Sequence, residues 1–341
     1  MPKARIKDVA QAAGVSVSTV SLVLNDVPGA RITEATRKRV QEAAAELSYV
    51  PSTLARGLRL QRTGTIGVVS DEIASTPHSG RIIAGAHEAA SRLGLTLLLV
   101  DTGPDRADEV REIESLLRRQ VDGILYAAMY HRELSVPVAL RGVPTVLVDA
   151  STAAEGYSWV VPDEEAGGHA AAEVLLDAGH RHIGFINNRD DIPASRGRLA
   201  GFRRAHHERG VPLDDALIAT TADSETARGY EAARQLLEGR GDASPTALFC
   251  FNDRVAMGAY RAAAELGLRI PEDLSVVGFD DQQLISEGLH PQLTTVALPH
   301  FEMGARAVQL LVDQVADPAV SRSHEHLACP VVHRSSVAPP R

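Results

Sequence analysis

From Thr65 to about residue 315, short unbroken apolar runs alternate with segments of helix length, and this rhythm limits the fold more than any other feature of the chain. Ile66-Gly67-Val68-Val69 opens it. A helix is expected over 80–93, strands over 96–100, 123–126 and 143–148, and a helix over 107–119 between the first two of these strands. A strand at 159–161 leads into a second half, with helices at 165–178, 196–209, 227–237, 254–266 and 301–315 and strands at 182–186, 247–251 and 275–278. Strands that are apolar on both faces, each followed by a helix, specify parallel, doubly wound sheets. The strands are too many for one comfortable sheet and fall into two similar halves. Two such lobes leave a cleft outside the carboxyl ends of their strands, where ligands bind.

The first sixty residues read differently. Ile6, Val9, Ala10 and Ala13 repeat at the spacing of one helix face, Gly14 suits a left-handed helix end, and Ser16 can cap a second helix with Val20, Val23 and Leu24 as its buried stripe. Two helices joined by a short turn containing Gly form a helix-turn-helix, whose second helix enters the DNA major groove; the plain alternative is an ordinary antiparallel helix pair. Thr33 caps a third helix with Glu34 in its first turn, Arg37, Lys38 and Arg39 on one side, and Val40, Ala43, Ala44 and Leu47 on the other. Tyr49-Val50-Pro51 then breaks the chain. Residues 52–60 have helical spacing through Leu54 and Leu58, but one short segment containing Gly57 is marginal alone and is expected to serve as a hinge. The expected organisation is therefore a headpiece at 1–50, a hinge at 51–62 and a two-lobed domain at 63–341. The first lobe is expected over about 63–161 and 297–322, the second over about 162–292 and 323–335.

Charge is divided along the same boundary. Residues 1–62 carry ten Lys/Arg against five Asp/Glu, a net of +5, so the total of −9 leaves −14 on the remainder. A basic module on an acidic body fits a nucleic-acid binder that presents one productive face. Cys250 and Cys329 lie far apart in apolar runs and read as buried, reduced thiols of a cytosolic protein. The basic start lacks an apolar leader, and no run approaches eighteen apolar residues, so neither export nor a membrane partner is expected. No phosphate-binding glycine loop, nucleophile elbow or H-E-x-x-H motif is present. His206-His207 reads as part of a solvated helix, and neither a metal nor a cofactor is expected.

Several short pieces, in order, resemble the lactose/galactose repressor (LacI/GalR) family over essentially the full length. They include Asp8-Val9-Ala10, Ala13-Gly14-Val15-Ser16, Thr19-Val20-Ser21, Leu24-Asn25, Thr36-Arg37 and Tyr49-Val50-Pro51. Gly179-His180, Arg198 with Gly201-Phe202, Gly229-Tyr230 and Asn252-Asp253 continue the series. Met257-Gly258-Ala259, Ile270-Pro271, Ser275 to Asp280 and Leu293 to Val296 close it. The resemblance implies a helix-turn-helix headpiece, a hinge helix and an effector domain of periplasmic-binding-protein type. It implies a transcriptional regulator, most commonly a repressor, that binds a pseudo-palindromic double-stranded operator as a homodimer under control of a small effector. A solute-binding protein or a sugar-modifying enzyme on the same fold is the alternative.

By the same resemblance, Val17, Ser18 and Leu22 face base edges, and Leu22 offers only apolar contact, for instance to a thymine methyl. Thr19, Ser21 and Asn25, beside the capping Ser16, suit phosphate oxygens. Arg5 stands where a small capping side chain is expected, so the first helix should be less well capped. Leu58 matches the leucine that wedges into the minor groove, with the small Ala55 one turn earlier. No heptad pattern follows HRSSVAPPR, so no tetramer through a coiled coil is expected. In the effector domain Asp149, Arg198, Asn252 and Asp280 are expected at the crevice, a set suited to sugar or polyol hydroxyls. The places often held by ring-stacking aromatics are here His78, Ser79 and Ser224, which favours a smaller or more polar ligand, and Trp159 is either a cleft wall or a core residue.

Overall fold

The computed structural model describes residues 4–24, 29–49, 62–71, 80–103, 108–238 and 244–341. The chain divides into two compact units, 1–64 and 65–341.

In the first unit, helices α1 (Ile6–Ala13), α2 (Val17–Leu24) and α3 (Glu34–Glu46) pack around Val9, Val20 and Val40, with Ala10, Ala13, Val23, Ala43 and Ala44 filling the rest of a small core. Gly14 ends α1 with φ 64°, and its N–H and that of Val15 both reach back to Ala10 O, which closes the helix and aims the chain into the turn. Ser16 caps α2, its Oγ accepting the Thr19 N–H at 3.1 Å. Thr33 likewise accepts the Thr36 N–H at 3.3 Å at the head of α3. Arg5 makes no side-chain cap, as expected, but the Asp8 carboxylate accepts the Arg5 N–H at 2.7 Å and satisfies one donor from inside the helix. Leu47, expected on the buried side, is 37% exposed, because the helix ends at Glu46 and Ser48 turns the chain away with φ 48°.

The second unit begins with β1 (Thr65–Ser70), α4 (Gly80–Arg92), β2 (Thr96–Asp101), α5 (Glu109–Arg118), β3 (Gly123–Glu133), β4 (Thr145–Ser151) and β5 (Ser158–Pro162). It continues through α6 (Glu164–Asp177), β6 (Ile183–Asn188), α7 (Pro193–Glu208), β7 (Ile218–Thr221), α8 (Thr226–Leu237), β8 (Ala247–Cys250), α9 (Asp253–Glu265), β9 (Ser275–Asp280) and the short α10 (Gln283–Ser286). Strand β10 (Thr294–Ala297), helix α11 (His300–Ala316) and strands β11 (His324–Leu327) and β12 (Val331–Val332) complete it. Two sheets form, with orders β11-β5-β4-β3-β1-β2 and β12-β10-β9-β8-β6-β7. The same winding thus occurs twice, and only the β10–β12 pairing is antiparallel. Inner strands such as β1, β6 and β8 are buried on both faces, which is why their sequences centre on apolar runs.

The chain crosses between lobes after β5, after β10 and after β11. The third crossing corrects the expected boundary at 322. His324–Leu327 pairs in parallel with β5, in register from His324 opposite Trp159, so this stretch belongs to the first lobe and only β12 returns to the second. Strands β7, β10, β11 and β12 were not apparent in the sequence. They are two to four residues long, and β11 alternates half-buried and exposed positions, so none forms a distinct apolar run. Trp159 stacks on His324 at 4.6 Å, which places its ring at this strand pair and not on the cleft wall. His206, expected in solvent, is buried and bonds Phe202 O through Nδ1 at 3.0 Å, because that face of α7 turns toward the sheet. Cys250 and Cys329 are buried free thiols, and burial pushes both up. Among the described residues no helix is long and apolar enough to cross a membrane.

Candidate functional site

Two surfaces gather the side chains singled out above, one on each unit. On the headpiece, Val20 and Val23 fix one face of α2 against the core, which leaves Ser16, Val17 and Ser18 exposed and Thr19, Ser21 and Leu22 half-buried. Val17 is 39% exposed, a β-branched side chain on the first turn that lies outside the buried cluster of the headpiece. Ser16 and Thr19 hydroxyls bond each other at 2.9 Å, so the cap also orients the first turn. The surface offers hydroxyls for phosphates and two aliphatic side chains for base edges, and on α2 no charged group. Asn25, Ala55 and Leu58 lie outside the described residues.

The second surface is a cleft of about 210 Å³ between the two lobes. Asp149, Arg198, Asn252 and Asp280 all line it, as does Ser224; His78 and Ser79 lie outside the described residues. The two aspartates occupy equivalent places, at or near the carboxyl ends of β4 and β9, the fourth strand of each winding. Both have positive φ, 54° at Asp149 and 102° at Asp280, a conformation L-residues rarely adopt and one that turns the chain sharply at the cleft. Asp253 buttresses the second turn: its buried carboxylate accepts the Thr295 hydroxyl at 2.6 Å and the Gln282 N–H at 2.7 Å. Burial and the neighbouring Asp280 charge push the Asp253 carboxyl well above the usual range.

Arg198 is held more firmly than its sequence position suggests. Helices α6 and α7 approach so closely that a Cβ on Gly201 would sit 2.1 Å from Glu165 O, and one on Gly197 would sit 2.6 Å from the Glu164 Cβ. That approach lets Arg198 Nε donate to Glu164 at 2.8 Å, while Nη1 donates to Phe251 O at 2.6 Å and lies 3.7 Å from Asp280. The guanidinium also covers the Phe279 ring at 3.7 Å. Burial opposes the charge on both partners. The pair nevertheless keeps the Glu164 carboxylate below, and the Arg198 guanidinium above, their ordinary values. Much of Arg198's donor fork is therefore used within the protein. Asn252 is similarly committed, its Oδ1 capping α9 through the Val255 N–H at 2.9 Å, so its remaining hydrogen-bonding group is the amide NH2.

Asp149 differs. It is 3% exposed, its Oδ1 has no hydrogen-bond partner, and burial pushes its carboxyl up to about 7, with the nearby Glu164 and Asp280 charges adding to the rise against His131 and Arg198.

Sequence reasoning missed Glu164, the first residue of α6, which sits one position before the expected helix start. It also missed Tyr130 and His131. The β3–β4 pairing breaks between Ala127/Val148 and Arg132/Ala150, so residues 128–131 bulge opposite Asp149 alone. The bulge delivers Tyr130, 51% exposed, and His131, whose Nδ1 lies 3.7 Å from Glu164, into the cleft. The polar run after the apolar core of β3 resembles an ordinary loop, and nothing in it announces a bulge.

Residues 5–52 match the family described as bacterial regulatory proteins, lacI family, and residues 172–337 match the periplasmic binding protein-like domain. The chain is 37% identical over 307 residues to the HTH-type transcriptional regulator DegA of Bacillus subtilis (strain 168), covering 89% of each chain. It is 34% identical over 336 residues to the ribose operon repressor of Escherichia coli (strain K12), covering 98% of this chain and 99% of the relative. Among solved structures, the lac repressor dimer bound to operator and the anti-inducer ONPF superposes with a TM-score of 0.78 at 27% identity, covering 98% of this chain and 99% of that one.

Proposed function

Because this chain belongs to the LacI family of bacterial regulatory proteins, we infer that it is a ligand-responsive, sequence-specific DNA-binding regulator of transcription, acting as a repressor. Members of the family are transcriptional regulators and not enzymes. The observation that carries the reading is the outward face of α2, where Val17 and Ser18 are exposed on a capped helix anchored by Val20 and Val23.

The headpiece reads a half-site in the major groove, and two copies of the chain meet a pseudo-palindromic operator as a homodimer. Thr19, Ser21 and Asn25 hold phosphates, Val17, Ser18 and Leu22 meet base edges, and Leu58 with Ala55 engages the minor groove at the centre of the site. The effector is a small polar molecule of the sugar or polyol class, in keeping with a relative named for the ribose operon. It occupies the cleft lined by Asp149, Arg198, Asn252 and Asp280, and His78 and Ser79 are further candidates to contact it. Its binding changes the relative pose of the lobes and so the ability of the two hinge segments to fold together on DNA. By linkage, effector and operator alter each other's affinity by the same factor. A chain that reads a bacterial operator works in the cytoplasm.

Selection of duplexes from a random pool, followed by footprinting, tests this. A protected inverted repeat whose occupancy changes with a cleft ligand is the expected outcome. Retention of no duplex over random competitor, with or without ligand, refutes it.

A further inference from the structure

The cleft holds more negative charge than its own cations cancel. Beside Asp149, Glu164 and Asp280, it is lined by Asp190, Asp223 and Glu225, while its guanidinium groups are Arg198 and Arg254. Arg198 is committed to Glu164 and Asp280, and Arg254 lies 3.4 Å from Glu225 while its Nε donates to Ser224 O. Outside the lining, Arg132 is bonded to Asp71 and is also attracted by Asp149, and Arg228 lies 3.7 Å from Asp223. Granting a full charge to His131 and His300, both at the cleft, still leaves the carboxylates in excess. Asp190, Asp223 and Glu225 are exposed, whereas Asp149, which also lines the cleft, is buried and its Oδ1 has no hydrogen-bond partner. A buried carboxylate with an oxygen that lacks a hydrogen-bond donor is costly even beside the charges of His131 and Arg198, and a ligand bringing a donor and a further positive charge would relieve it. The half-exposed Tyr130 ring adds an aromatic surface on the same wall, of the kind that attracts cations.

We propose that the effector is cationic: a small polyhydroxylated molecule bearing an ammonium group, an amino sugar or amino polyol, with its nitrogen set against Asp149. This rests on the regulator reading above and narrows its ligand class. Hydroxyls of the same molecule donate to Asp190 and Asp223, and the Asn252 amide donates to a ligand oxygen. Anionic sugars, phosphorylated or oxidised to acids, meet uncompensated carboxylates and are excluded.

The experiment uses two matched sets on the full chain at about pH 7 and low ionic strength, where charge selectivity is least screened. One set is 1-amino-1-deoxysorbitol, sorbitol and gluconate; the other is glucosamine, glucose and glucuronate. Thermal shift and calorimetry should rank the amine first in at least one set, bound about tenfold or more tighter than its neutral sibling, the worth of one charge-assisted bond. Asp149→Asn should lower amine affinity by a larger factor than that of the neutral sibling, so that the preference narrows by about tenfold. Asp190→Asn, at an exposed position that does not endanger the fold, should lower amine affinity less but in the same direction. A neutral or anionic member binding as tightly as the amine, silence from both amines, or equal losses for charged and neutral siblings in Asp149→Asn each overturn the proposal. If a neutral or anionic member binds and alters operator occupancy, the regulator reading stands and only the charge assignment falls.

Discussion

Replacing Asp149 by Asn should make the protein more stable, and by an amount that grows with pH. The carboxyl rises from an ordinary value of 3.8 to about 7 on folding, with burial the largest cause. Between those two values the folded state holds a proton that the unfolded chain has released, so stability falls as pH rises through this window. Above about 7 the penalty is complete and is worth about 4 kcal/mol at 1.36 kcal/mol per tenfold change in affinity for the proton. At about pH 5 only the first part has accrued, under about 2 kcal/mol. Asparagine has nearly the same shape, and the orphaned Oδ1 leaves no hydrogen bond to lose at that atom. For a body of this size the gain at about pH 8 corresponds to a rise of about 5–10 °C in melting temperature, shrinking toward acid. Calorimetry of both proteins at about pH 5 and about pH 8, without effector, measures the difference. A gain equal at the two pH values, or a loss at the higher one, would refute the claim that burial disfavours the charged form of this carboxyl.

Three further outcomes are expected. Gly201→Val should destabilise the body by about 3 kcal/mol, since a side chain there collides with the α6 backbone at Glu165 O; an unchanged melt would mean that the two helices separate freely. Ser16→Ala should cost the headpiece about 1 kcal/mol through loss of the α2 cap, visible in the helical circular dichroism of the isolated 1–64 unit. Leu58→Ala should weaken selected duplexes far more than random ones in gel-shift titrations, and equal weakening would reject the wedge role.

Periodicity alone exposed the doubly wound plan, because strands such as β1, β6 and β8 are buried on both faces and carry mostly apolar residues. The headpiece was legible for a related reason: Gly14, Ser16 and Thr33 are punctuation whose chemistry is local. The edge strands β11 and β12 escaped notice because a partner on one side only permits polar residues, and HEHL carries no strand signal of its own. The four cleft residues expected from the sequence do converge, Asp149, Asn252 and Asp280 from at or near strand ends and Arg198 from the second turn of α7. What could not be read was how each is used. That Arg198 spends donors on Glu164 and Phe251, while Asp149 has an oxygen with no partner, depends on a helix approach set by Gly197 and Gly201 and on a bulge at 128–131.

The late return of the chain to the first sheet bears on biosynthesis. Strand β5 waits for His324–Leu327, and β10 waits for Val331–Val332, so both lobes keep a raw sheet edge until these late residues have left the ribosome. Neither half can mature while the other is being made, and a message truncated near codon 320 would yield two unfinished sheets and no salvageable one. Unpaired edges recruit other strands, so such fragments should aggregate or be degraded soon after release.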